Sequence, residues 1–359
     1  MHIETLKGLR EGQNTMDVRS VFTKKTDEAE EMKLRQERAE EIQEESIVID
    51  GHQGTLFDIA RGIRKFDEES PIGHSDLPRL RQGRVDCAIL TAFPYDRIWP
   101  TRGVKQGLEY IDLFEEVVKT PGVRQVLTTS DIEEANKRGE VGLMLSFGGG
   151  EFIESSIEAL HMYYRLGLRM LTLTWDERNL LADGAAFSAS RGGLTPLGVK
   201  ALEEAGKLGI LIDVSHLSEA GFWDVVDLAE APFVASHSNC HALFPHPRNL
   251  TDGQLAAIGQ AGGLVGISFN PEYITGSDES PTLTQVVDHI MHAIEFAGEE
   301  HVGLGTDFDS FSGSGPEPLE HIGHLSLVTY ELLERGLSGG VISGILGGNW
   351  LRVLRAVIG

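Results

Sequence analysis

From residue 46 onward, eight short apolar runs punctuate the chain, separated by amphipathic stretches. The runs are SIVIDGH (46–52), VDCAILTAF (85–93), VGLMLSFGG (141–149), RMLTLTW (169–175), GILIDVSH (209–216), PFVASHS (232–238), GGLVGISF (262–269) and HVGLGTDFD (301–309). Each is nearly continuous rather than alternating, the pattern of parallel strands buried on both faces. The stretches between them repeat at helical spacing. In SEAGFWDVVDLAEA, Phe222, Val225, Val226 and Ala229 share one face, and Ser218 stands where an N-cap belongs. IEALHMYYRLG likewise brings Ile157, Leu160 and Tyr164 together. Eight such units predict an α/β fold, a (β/α)8 TIM-type barrel over 46–359, closed by C-terminal helices from 321 to 357.

Ahead of the barrel the pattern changes. Residues 1–20 are polar and unpatterned, and 26–46 (TDEAEEMKLRQERAEEIQEES) read as a highly charged helix whose Met32, Leu34 and Ile42 bury little. Residues 1–45 are therefore expected to form a polar helical extension. The 359 residues are 41% hydrophobic and 24% charged, enough for a large core. A formal net charge of −24 argues against nucleic acid and anionic membrane as partners, since both would be repelled. Cys87 and Cys240, in apolar or strand-like contexts, are expected to be buried free thiols. The opening MHIETLKGLREGQ lacks an apolar leader, and no apolar run is expected to reach the ~18–20 residues of a membrane span, so a cytoplasmic location follows.

The strand ends carry the candidate chemistry. In such barrels the active site lies at the C-terminal ends of the strands. Asp50 and His52, Asp213 and His216, His237 and Asn239, and Asp307 and Asp309 all fall there. One histidine at a strand end is usually structural; three with an aspartate, from four strands, point to a functional pocket. Their nitrogen and oxygen donors suit zinc or another divalent ion, which lowers the pKa of bound water and polarises a carbonyl. Asp307 is then a candidate proton shuttle. Arg248, in FPHPRNL, is placed either for an anionic substrate group or for an ion pair. His289, in a helical pattern, is expected at the surface or core edge.

Several of these segments together resemble the membrane (renal-type) dipeptidase family. They are DGH at 50–52, GGEFIESSIEALHMYYRLGLRMLTLTW at 149–175, LGILIDVSHLSEAGFWDV at 208–225, ASHSNCHALFPHPRNLTDGQL at 235–255, GLGTDFD at 303–309 and GGNWLRVLR at 347–355. The resemblance implies an amidohydrolase-type barrel, a binuclear zinc centre, a carboxylate-bearing dipeptide-like substrate and a homodimer. It places metal ligands at His52, His216, His237 and Asp307, with Asp307 also catalytic. Arg248, Trp175 and Asn270 become substrate-binding candidates. Two ligand positions depart from the family pattern: the aspartate after His52 is Gly54, and the bridging glutamate is Gly148. Each metal site then keeps two protein ligands, where zinc normally takes three or four. At most one zinc per chain is expected, pooled among the four survivors; a metal-free pocket is the alternative. The two glycines are also expected to free volume for a larger substrate or ordered water. The leading expectation is metal-assisted hydrolysis of a dipeptide or small amide. A metal-independent isomerase or lyase, or a non-catalytic binding protein, stands beside it.

Overall fold

The computed structural model describes residues 18–94, 102–276 and 280–359. The eight runs become strands β1 (Ile49–Gln53), β2 (Cys87–Ala92), β4 (Val141–Gly148), β5 (Leu168–Thr172), β6 (Leu211–Asp213), β7 (Val234–Ala235), β8 (Leu264–Ile267) and β9 (Val302–Leu304). A ninth, β3 (Val123–Gln125), was not expected. Its Val-Arg-Gln offers one apolar side chain and so no strand signal. All pairings between these strands are parallel. β2 pairs directly with β4, from Cys87 opposite Gly142 to Ala92 opposite Phe147, and Asp50 of β1 pairs with Leu304 of β9. These two contacts close an eight-stranded ring. β3 hangs outside it on the first residues of β4. Every ring strand is buried along its length, which is why the runs are continuously apolar.

The expected helices form where their signals lie. Glu219–Leu228 is capped by Ser218, whose hydroxyl accepts from Gly221 N, and buries Phe222 and Val225. Ile157–Arg165 buries Leu160 and Tyr163. The chain ends in helices Ser326–Glu334, Gly339–Ser343 and Asn349–Ile358, the last two joined by a π turn at Gly344–Gly348.

The final helix plugs the barrel floor. Trp350, Val353 and Leu354 pack against Ile49, Cys87, Met144, Met170 and Leu264. The Trp350 indole donates to Leu304 O at 2.8 Å. A Cβ on Gly51 would stand 1.9 Å from that indole, and one on Gly303 2.9 Å. Gly51 of the Asp-Gly-His stretch is thus a packing glycine. The expectation that no apolar run reaches membrane-spanning length is corrected here: Gly339–Ile358 is 20 residues long and apolar enough by length and composition. Its apolar side lies in the barrel floor, and Arg352 donates to the carbonyls of Gly262, Gly263 and Glu300.

The first helix spans Val18–Glu45. The unit that holds the barrel runs from Ala39 to Gly359. Within the barrel unit Ile42 is buried, against expectation, and Gln43 donates to Gly83 O and accepts from Thr329. Of the unpatterned stretch 1–20, residues 1–17 lie outside the described residues. Both cysteines are free and buried, as expected.

Candidate metal centre at the strand ends

The ends of β6 and β7 hold two histidines in fixed tautomers. The Asp213 carboxylate, buried at the end of β6, accepts from Ser215 N, Ser236 N, Thr172 Oγ1 and Ser236 Oγ at 2.7–3.0 Å. Ser236 therefore spends its proton on Asp213 and faces His237 Nδ1, 2.7 Å away, as an acceptor. His237 must carry its proton on Nδ1, leaving a lone pair on Nε2. His216 Nδ1 lies 2.7 Å from Asp176 Oδ1 and donates to it, so its Nε2 is bare as well. The two Nε2 atoms face each other at 2.9 Å. Two lone pairs at that distance repel, and the arrangement calls for a cation between them, either a metal ion or an added proton. Locking Nδ1 with an outer acceptor is how proteins orient histidine ligands.

The ends of β1 and β9 bring the other two candidates alongside. The His52 ring stacks on that of His237 with centroids 3.6 Å apart, and its Nε2 is 3.7 Å from Asp307 Oδ1. Asp307 Oδ2 accepts from Asn270 at 3.0 Å and Ser268 at 3.4 Å, leaving Oδ1 toward His52. All four residues are buried. Burial pushes His52 down to about 4 and His237 well below the usual range, so both are neutral at neutral pH. His216 and Asp307 have positive φ, +68° and +61°, a conformation that clusters at functional sites.

The remaining strand-end acids serve the frame. Asp50 accepts from Thr306 N and Oγ1 and from Gln53, tying β1 to the loop after β9. Asp309 is enclosed by Arg64, Thr55 and His74 N. Asn239 exchanges hydrogen bonds with the Ser268 backbone. His52, Asp213 and His237 offer donor atoms within 4.8 Å of one another, but the four hydrogen bonds on Asp213 make it a support rather than a ligand. His289 is buried, not at the surface, and its Nδ1 accepts from Cys240 N, propping the chain beyond β7.

The volume expected at the two glycines is not free. A Cβ on Gly54 would meet Ser310 Oγ at 2.6 Å and Asp309 O at 2.8 Å. One on Gly148 would meet Thr91 Cγ2 at 2.8 Å. Neighbouring atoms crowd both positions, and Gly148 still lines the cavity. Nor does Glu151 replace the bridge: its carboxylate folds back over Gly149, where an added Cβ would stand 2.1 Å from Oε2. No carboxylate bridges the two halves of the cluster, and the bare Nε2 atoms of His216 and His237 are the pair placed to face one ion.

The candidates open into a cavity of about 130 Å3 lined also by Trp175, Asn270, Tyr273 and Ser310. Arg248 is buried and lines a separate cavity with His246 and Asn249. Its Nη2 donates to His237 O at 3.1 Å, and its Nε lies 3.5 Å from Asp176 Oδ1. Asp176 was missed in the sequence. The only signal was a carboxylate directly after Trp175 at a strand end.

Comparison with known proteins agrees with this architecture. The family model described as membrane dipeptidase (peptidase family M19) matches residues 36–358. An uncharacterized dipeptidase of Schizosaccharomyces pombe, C965.12, is 32% identical over 350 residues, covering 90% of this chain and 83% of that protein. Dipeptidase verJ of Clonostachys rogersoniana is 34% identical over 304 residues, covering 80% and 76%. The structure of a Rhodobacter sphaeroides metallo peptidase, liganded with a phosphinate mimic of the dipeptide L-Ala-D-Ala, superimposes with a TM-score of 0.80 at 26% identity. It covers 87% of this chain and 100% of that one. The chain belongs to the membrane dipeptidase family and is a dipeptidase-type hydrolase on a (β/α)8 barrel.

Proposed function

We propose that this chain hydrolyses a dipeptide or a related small amide with one divalent cation, zinc by its donor set, held by Nε2 of His216 and His237. The observation that carries the reading is the pair of bare Nε2 atoms at 2.9 Å, each fixed from behind by an acceptor on Nδ1. A cation held there supplies a water of lowered pKa and polarises the scissile carbonyl. Asp307 Oδ1 takes the proton of the attacking water and returns it to the leaving nitrogen. Asn270 and Ser268 hold the other oxygen and so fix which lone pairs face the pocket. His52, neutral and stacked on His237, keeps that ring in plane and borders Asp307. Trp175 and Tyr273 narrow the cavity and limit water around the reacting bond.

A 2.9 Å gap also suits a shared proton, which is the metal-free reading. Metal content per chain, measured on protein purified without chelator and again after zinc supplementation, separates the two. About one ion per chain is expected, with dipeptide turnover that a chelator abolishes and zinc restores. Metal-free protein after supplementation would overturn the proposal, and two ions per chain would overturn its stoichiometry.

A further inference from the structure

Beside the catalytic cavity, the segments after β1 and β9 enclose a larger one. This chamber holds about 810 Å3, against about 130 Å3 for the cavity of Asp307, and the two share Phe93 and Ser310 in their walls. Arg248, where the resemblance puts the substrate carboxylate, lies elsewhere, in the loop after β7. A dipeptide with its carboxylate at Arg248 and its amide beside Asp307 therefore points its amino-terminal residue toward the chamber. The chamber walls join apolar and acidic groups. Phe57 stacks on Phe93 with ring centroids 4.9 Å apart, and Phe311 lines the side formed after β9. Most charged wall groups are matched. Asp58 and Asp309 face Arg64, Asp309 also faces His74 Nδ1 at 3.5 Å, and Arg79 is held by Asp76 and the carbonyls of Ser70 and Gly73. Glu69 and Glu320 are exposed and form no ion pair among the described residues. On the catalytic side, the two charges of the proposed ion and that of Arg248 are matched by Asp176, Glu272 and Asp307. The unmatched charge of the two cavities is thus that of Glu69 and Glu320.

We infer that the chamber takes the side chain of the substrate's amino-terminal residue, and that Glu69 and Glu320 make it prefer a long cationic one, lysyl or arginyl. The methylene stem of such a side chain lies along the phenylalanine rings while its charged end reaches the solvated glutamates. The inference rests on the cavity beside Asp307 being the reaction site of the proposed hydrolase.

The test compares L-lysyl-, L-norleucyl- and L-alanyl-alanine, each with L- and with D-alanine at the carboxyl end, as substrates of the zinc-supplemented full chain. Norleucine keeps the stem of lysine and lacks its ammonium group. kcat/KM is expected to be about tenfold higher for norleucyl than for alanyl, from burial of the stem. It is expected to be about fivefold higher again for lysyl, from the two exposed charges. Glu69→Gln combined with Glu320→Gln is expected to bring lysyl down to the level of norleucyl and to leave alanyl unchanged. Both positions are exposed, so the melting temperature of this variant should match the wild type. An alanyl substrate that is preferred or equal would overturn the chamber's role. Lysyl no better than norleucyl, or a lysyl preference that survives the double substitution, would overturn that of the glutamates. Should none be hydrolysed, calorimetric binding in the expected order would overturn the hydrolase reading alone, and no binding would overturn the inference as well.

Discussion

At the ends of β6 and β7, each imidazole is held from behind. Asp176 fixes His216, and the chain Asp213–Ser236 fixes His237. At the ends of β1 and β4 the hold is looser: His52 Nδ1 faces the neutral Thr91 hydroxyl, at 3.2 Å. Gly54 and Gly148 offer no side-chain donor there, and Ser310 and Thr91 crowd the place a Cβ would take. His52 and Asp307 remain there, 3.7 Å apart, as an acid–base pair more than as a chelate. The difference teaches that a ligand set is kept by its outer supports as much as by its donors. A buried carboxylate with four hydrogen bonds cannot be lost without orphaning several donors, whereas a ligand on a cavity wall can be replaced once a neighbour takes its volume.

The largest expected effect tests which half holds the ion. His237→Ala is expected to lower zinc affinity by more than about 100-fold, beyond the loss typical of outer-shell changes. His52→Ala is expected to cost about tenfold or less while activity falls. Equal losses, measured by competition with a chromophoric chelator, would mean that one ion is pooled across both halves.

The next effect concerns the support behind the kept half. The folded chain holds His289 neutral down to about 4, because burial penalises its charged form. The unfolded chain takes up that proton near 6.5. Stability is thus complete above pH 6.5 and is lost as the pH falls toward 4, by about 3 kcal/mol from this residue. Urea unfolding at pH 7.0 and 4.5 should show the loss, and His289→Gln should reduce it; an unchanged pH slope in that variant would count against the assignment.

The smallest effects concern restoring the lost half. Gly54→Asp meets backbone at Asp309 and is expected to cost about 1–3 kcal/mol without a gain in metal. At Gly148 the closest obstacle is only the Thr91 methyl group. Gly148→Glu combined with Thr91→Ser would give three candidate ligands with His52 and Asp307, and a second, weaker zinc is expected by elemental analysis. A second ion in the Gly54→Asp variant instead would reverse this ranking of the two positions.

The continuous apolar runs were enough to place eight ring strands, because burial on both faces leaves a period-free signature. They could not reveal β3, whose one apolar side chain is no pattern at all. Asp213 shows the same limit in the site. The sequence places it at a strand end among the candidate polar residues, and only its four donors show it to be a support. His289 reads as a surface or core-edge residue from helical spacing, but it is buried and the chain beyond β7 donates to it.

The sequence by itself determined the barrel, the family and the four polar residues that meet above the strands. It also put glycine at 54 and 148, two positions where the resemblance implies carboxylates. The tertiary structure alone decided what those glycines mean, because whether a missing side chain leaves space depends on atoms distant in the chain. Ser310 is far from Gly54 in sequence and fills its place in space. It also decided the tautomers of His216 and His237 and the pairing of Arg248 with Asp176. Those depend on hydrogen bonds and charges brought together from different strand ends, and spacing along the chain does not encode them.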